Sequence, residues 1–244
     1  RVDRRQRQMC IRDRGLTPET STSKTIGVVW SPEFLSGFNA SLDWWNIRIE
    51  NTIVADTPTD LLNDCYLRGI ESRCTGFTRN ANGNITDLEF ALRNAGYVET
   101  EGFDFDVNYR FETGFGNFTT SWQNTYVTKN EIKQDNTDNP PTQQNGFEGN
   151  FRIRSNLTIN WQLENLSVSW TARYYSGTKE DCYFDDRCTL PDFSAPDTQG
   201  QITPKNELGS NTFHDLQVSY NLPWNATVAV GANNVFDHLS LIHI

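Results

Sequence analysis

The sequence predicts an all-β fold: an antiparallel up-and-down transmembrane β-barrel, of which about eight strands are present. Three observations carry this reading. The first is the stretch Gly102–Phe111, "GFDFDVNYRF". Phe103, Phe105, Val107, Tyr109 and Phe111 share one parity, and Asp104, Asp106, Asn108 and Arg110 the other. A strand turns alternate side chains to opposite faces, so this segment separates an apolar medium from a wet one. The second is the order of the connections, which run short, long, short, long, short, long, short. Tight turns at one end and large loops at the other describe a membrane barrel, whereas a Greek-key sandwich mixes connection lengths. The third is strand length, since many segments exceed the roughly 3–10 residues usual in soluble sheets.

The composition agrees with this class. Hydrophobic residues make up 36% and aromatic residues 12%, with mean hydropathy −0.62. No apolar run approaches the roughly 18 residues of a membrane helix. Seven Trp, eight Tyr and fifteen Phe accompany a single Met, and Tyr and Trp favour boundaries between apolar and polar media.

The two ends stand apart from this pattern. Arg4–Arg14, "RRQRQMCIRDR", can be encoded by a DNA string whose end is the reverse complement of one encoding Leu239–Ile244, "LSLIHI". Both resemble the mosaic-end adapter of transposase-based sequencing libraries. Residues 1–14 and 239–244 are therefore expected to be adapter-derived, leaving 15–238 as the native segment and its true termini elsewhere. Residues 1–14 hold six Arg and two Asp, a charge of +4, so the −10 of the whole chain becomes −14 for the rest. Nucleic acid is then not an expected partner, because phosphate binding needs a basic surface.

Along the chain, "TIGVVW" alternates Ile26, Val28 and Trp30, and "SPEFLSG" turns it back. Phe38, Ala40, Leu42 and Trp44 share a face, after which the phase slips at Trp45 to Ile47 and Ile49. A bulge is expected there. Residues 51–93 read as irregular, 94–112 as one long strand and "TGFGN" as a tight turn. Phe118, Thr120, Trp122 and Tyr126 mark the return, and 130–146 read as loop. Phe151, Ile153, Leu157, Ile159, Trp161 and Leu163 turn at "LENL" into Leu166, Val168, Trp170, Ala172 and Tyr174. After a long loop over 176–210, Leu216, Val218, Tyr220 and Leu222 turn at "LPWN" into Ala226, Val228, Val230 and Ala232. Inward Arg110, Arg152 and Arg154 are expected to form salt-bridge ladders with Asp104 and Asp106.

Candidate functional residues lie mostly in the long connections. Cys65 with Cys74, and Cys182 with Cys188, lack the two-residue spacing of a zinc knuckle and have no His nearby. They read as two local disulfides in an oxidising compartment. Tyr66, Tyr183 and Phe184 are loop aromatics and candidate ligand contacts. Glu180, Asp181, Asp185 and Asp186 offer carboxylate oxygens to Ca²⁺, although a solvated acidic loop explains them as well. Trp44, Trp122, Trp161, Trp170 and Tyr174 share the lipid-facing parity and read as a membrane girdle; Trp45 is ambiguous. His214 and His238 have no Ser, Cys or Asp placed to form a triad, and no enzyme, cofactor or metal motif is found.

The segments "LTPETSTSKTIGVVW" (16–30), "LDWWNIRIENTI" (42–53), "NAGYVETEGFDFDVNYRF" (94–111) and "LQVSYNLPWNATVAVGANNVFD" (216–237) resemble the C-terminal part of a TonB-dependent outer-membrane receptor. The resemblance implies eight strands out of about 22, with a plug domain and TonB box lying outside this chain. It implies a monomer in the outer membrane of a Gram-negative bacterium, surrounded by lipid. Energy would come from the TonB complex through the N-terminal part. The ligand would be a scarce small molecule or oligosaccharide, carbohydrate or iron-siderophore, bound at extracellular loops. A passive porin of the same architecture, and less so a secreted glycan-binding β-sandwich, are the competing classes.

Overall fold

The computed structural model describes residues 16–88, 92–136, 138, 140–147, 149–179 and 207–238. Its elements run β1 (Thr20–Trp30), β2 (Phe38–Glu50), β3 (Ile53–Ala55), α1 (Pro58–Tyr66), a 3₁₀ segment (Glu71–Gly76), β4 (Thr78–Arg79), β5 (Ile85–Thr86) and β6 (Leu92–Asn94). They continue with β7 (Tyr97–Thr113), β8 (Gly116–Lys133), β9 (Thr142–Gln143), β10 (Ile153–Leu163), β11 (Leu166–Tyr175), β12 (Thr178–Lys179), β13 (Glu207–Leu208), β14 (Asn211–Leu222) and β15 (Ala226–Ala232). Eight long strands form one sheet in the order β1-β2-β7-β8-β10-β11-β14-β15, so each pairs with the next long strand in the chain. That is the up-and-down meander, left open between β1 and β15.

The alternation on these strands fixes two faces. Antiparallel register aligns Ile159 with Trp170, Trp161 with Val168 and Leu163 with Leu166. The same rows continue from Trp170 to Leu216 and from Val168 to Val218. They end at Ala232 and Val230 on β15. One face is thus a continuous apolar surface. The other carries Asn160, Gln162, Ser167, Ser169, Gln217 and Ser219, with Asn117 and Thr119 of β8, around a polar concavity of about 340 Å³.

What covers the apolar face decides the class. Among the described residues the buried apolar side chains are Leu61, Cys65, Ala95 and Val127, and no second sheet packs on the first. Trp122 is 41% exposed and Val230 74%. A sandwich of this length would bury such residues between its sheets. Here the medium outside must do it.

The chain divides into two compact units. One comprises Arg1–Thr22, Arg48–Glu99 and Ile132–Thr142; the other comprises Ser23–Ile47, Thr100–Glu131 and Gln143–Ile244. Within the first, the stretch read as irregular is ordered around α1. Thr57 caps it, its Oγ1 accepting from the backbone N of Asp60 at 3.1 Å, and Pro58 follows in the first turn. Asp60 in that turn favours the positive end of the helix dipole. The β3–β6 and β4–β5 ladders close the rest of this connection.

Three other expectations change. β8 runs on to Lys133 and β9 pairs with it, so the stretch 130–146 is partly strand. The bulge at Trp45 is replaced by regular alternation: Trp44 and Asn46 both donate to Glu101, and Arg48, two residues on, donates to Glu99 at 2.8 Å. The phase slip is instead an exchange of polarity between faces. Beyond Trp44 the outer parity turns polar (Asn46, Arg48, Glu50), while the inner one takes Trp45, Ile47 and Ile49. Trp45 fits because Gly102 has no side chain; a Cβ there would lie 2.7 Å from the indole. Finally, the ladder among Arg110, Arg152, Arg154, Asp104 and Asp106 does not form among the described residues. Asp104 accepts from Thr125 at 2.8 Å, and Thr125 stands directly opposite Arg154, so a whole strand separates the charges. The inward pair is Arg173 with Asp215, bonded through both guanidinium Nε and Nη2.

Candidate functional site

The sheet offers two surfaces, an apolar outer belt and the long connections. On β10 the outer parity runs from Ser155 through Leu157, Ile159 and Trp161 to Leu163. At about 3.3 Å per residue and about 40° of tilt this stretch rises about 20 Å, close to the apolar band of about 25 Å in outer-membrane barrels. The girdle candidates sit along it at different levels. Trp44 donates its indole N–H to Glu101 at 3.3 Å, at the point where β2 turns polar. Trp122 packs edge-on against Phe105 and donates to Ser155 Oγ at 2.9 Å. Tyr174 stands opposite Ser155 and Thr212. Trp161 lies at the other end, next to the tight turns, donating to the Phe115 carbonyl at 2.9 Å. Trp170 is midway, stacked on His214 with 5.5 Å between ring centroids.

The 51–96 connection is built around ions rather than apolar bulk. Asp56, whose side chain is 1% exposed, binds Arg73 and Arg93, and Asp64 binds Arg73 and Arg68. The hydrogen bond to Asp64 raises the Arg68 pKa above its ordinary value. The result is one alternating chain, Arg93–Asp56–Arg73–Asp64–Arg68, tying the β3 end, α1, the 3₁₀ segment and β6 together. Cys65 and Cys74 form the expected disulfide across two of those pieces. Closing a loop of this length stabilises the fold by about 3 kcal/mol in the chain-entropy picture.

Tyr66 ends α1 and is 56% exposed. Its ring lies 5.7 Å from that of Phe77, and its hydroxyl accepts from Arg79 Nε at 3.1 Å. The Arg79 guanidinium lies 5.4 Å from the Tyr66 ring centroid and 5.8 Å from that of Phe77, within cation–π range. The sequence singles out Tyr66 as a candidate contact but not its neighbours Phe77 and Arg79, whose association needs the β4–β5 turn to be known. Cys182 and Cys188, Tyr183 and Phe184, and Glu180, Asp181, Asp185 and Asp186 lie outside the described residues, as do Leu239–Ile244 and residues 1–14. Among the described residues no group of three or more His, Cys, Asp or Glu is placed to hold a metal ion.

Comparison with known proteins bears on this geometry directly. The family model described as "TonB dependent receptor-like, beta-barrel" matches residues 8–235. The chain belongs to the TonB-dependent receptor β-barrel family. The receptor's barrel strands accordingly lie in the outer membrane of a Gram-negative bacterium, and the family is one of transporters. Its fold is similar to that of a mutant ferric enterobactin receptor, PfeA, from Pseudomonas aeruginosa (17% identity, TM-score 0.57, covering 92% of this chain and 26% of that one). It is also similar to the siderophore receptor PirA from Acinetobacter baumannii (20%, 0.57, covering 91% and 28%). The FrpB iron transporter from Neisseria meningitidis is a third such structure (15%, 0.55, covering 92% and 28%). The chain thus spans about a quarter of the length of these structures. No curated protein matches the chain.

Proposed function

We propose that the segment is part of a TonB-coupled transporter that captures a scarce nutrient, a carbohydrate or other organic ligand or an iron-siderophore, at its long connections and imports it. The observation that carries this reading is the asymmetry of the sheet. Four tight turns join the long strands at one end, whereas a disulfide-locked, ion-paired connection of more than forty residues opens from the other. A passive pore needs no such rigid outer structure; a receptor does, because ordering a floppy loop on binding would weaken capture. Tyr66, with its partners Phe77 and Arg79, is the proposed contact on this connection, and Trp44, Trp122 and Tyr174 the proposed outer lipid boundary, with Trp161 at the inner one. The ferric enterobactin receptor PfeA and the siderophore receptor PirA, similar in fold, support the iron-siderophore among these ligand classes.

The test is uptake by cells carrying the complete receptor as their sole route for the nutrient, with and without TonB. Import that stops when TonB is removed supports the reading. Import that persists, linear with concentration, makes the protein a porin and overturns it.

A further inference from the structure

A cavity of about 490 Å³ lies between the 143–152 turn and the β12–β13 ladder. Its size suits a small ligand, and three features define the chemistry it would accept. Asn145, 7% exposed, lines it and spends its Nδ2 on the Val127 carbonyl at 2.8 Å. Because that partner is a carbonyl, the amide orientation is fixed, and Oδ1 is left as a buried acceptor with no partner among the described residues. Such an atom costs stability unless something donates to it. Arg152 also lines the cavity. It lies over Gly146 (φ +84°), where a Cβ would come 2.8 Å from its Nε. Arg48, Arg68, Arg73, Arg93 and Arg173 bind carboxylates, whereas Arg152, like Arg79, Arg110 and Arg154, has no acidic partner among the described residues, and of these four Arg152 is the one that lines this cavity. Phe147 and Leu208 add apolar wall. The walls are held together by backbone: Lys179 N donates to the Gly146 carbonyl at 2.8 Å.

A cation with no acidic partner among the described residues, beside an unsatisfied acceptor and an aromatic ring, asks for a ligand that carries a carboxylate, a hydroxyl and an apolar face. We propose that this cavity is a subsite for the carboxylate end of a hydroxylated organic acid, a uronic acid being the simplest example. Arg152 donates to the carboxylate, a ligand hydroxyl donates to Asn145 Oδ1, and Phe147 lies along the ring. On a chain of net charge −10, a local cation with no acidic partner among the described residues is what lets an anion approach. This rests on the reading of the long-connection end as the ligand-binding end.

The experiment is calorimetric titration of the complete detergent-solubilised receptor with galacturonate, galactose and acetate. Galacturonate is expected to bind about tenfold or more tighter than galactose, the size of one charge-assisted hydrogen bond. Arg152→Gln, at an exposed side chain, should erase that difference while leaving the melting temperature unchanged. Asn145→Ala should weaken both sugars. Equal affinities for the two sugars, or an R152Q receptor that still prefers the acid, overturns the proposal. Loss of TonB-dependent import would sink the functional reading separately, since binding is read here without TonB.

Discussion

At the scale of the residue, two positions show how much one side chain settles. Asp56 is buried with two arginines on its carboxylate, so Asp56→Ala strands Arg93 and leaves Arg73 with Asp64 alone. Removing one partner of a buried pair costs about 3–5 kcal/mol, which exceeds the disulfide's contribution. The expected outcome is faster amide exchange and protease cleavage across 51–95, with the barrel strands unchanged; equal protection in the variant would mean that the network is decorative. Gly102 is the second case. Its replacement by Val would push into the Trp45 ring and the Tyr126 carbonyl, and overpacking of this kind costs about 1–3 kcal/mol. A drop in the denaturant midpoint of the complete receptor measures it. Trp45 also marks the limit of pattern reading. Its phase change was visible in "LDWWNIRIE", but a bulge and an exchange of polarity give the same string. Only the contacts of Trp44, Asn46 and Arg48 with the strand opposite separate the two.

At the scale of the element, the long strands were legible and the small parts of the connections were not. Strands such as β10 and β11 repeat their parity over ten or more residues, so each added residue strengthens the reading. α1 offers nine residues, too few for a helix to stand alone in water, and its ordering comes from Leu61, Asp64 and the disulfide, which are tertiary. The signal that could have revealed it was "TPTD": a capping Thr, a Pro in the first turn and an Asp to meet the dipole. Thr57→Ala is therefore expected to cost about 1 kcal/mol locally. Replacing Cys65 and Cys74 by Ser should cost about 3 kcal/mol yet leave the connection folded, because the Arg93–Asp56–Arg73–Asp64–Arg68 chain spans the same pieces. Limited proteolysis of oxidised and reduced receptor compares the two; complete digestion of 51–95 on reduction would show that the ions alone cannot hold it.

At the scale of the whole molecule, stability depends on which solvent meets which face. Four buried apolar residues among those described cannot stabilise a sheet of eight long strands, so stability must come from lipid on the outer parity and hydrogen bonding on the inner. Neighbouring residues on one strand then answer differently to the same substitution. Ile159 lies midway between Ser155 and Leu163 on the outer face, opposite Trp170. Asn160, next in sequence, lines the polar concavity opposite Ser169. Ile159→Arg places a charge near the bilayer midplane, at a cost of about 2–4 kcal/mol, while Asn160→Arg keeps it in water and should cost less than about 0.5 kcal/mol. Reversible unfolding of the complete receptor in phospholipid vesicles reads both. A sandwich would invert the reason but not the sign at Ile159, so the deciding comparison repeats the pair in vesicles of thinner lipid. The Ile159→Arg penalty must fall as the charge nears an interface. A penalty indifferent to bilayer thickness would place Ile159 against protein rather than lipid, and the barrel reading would fail with it.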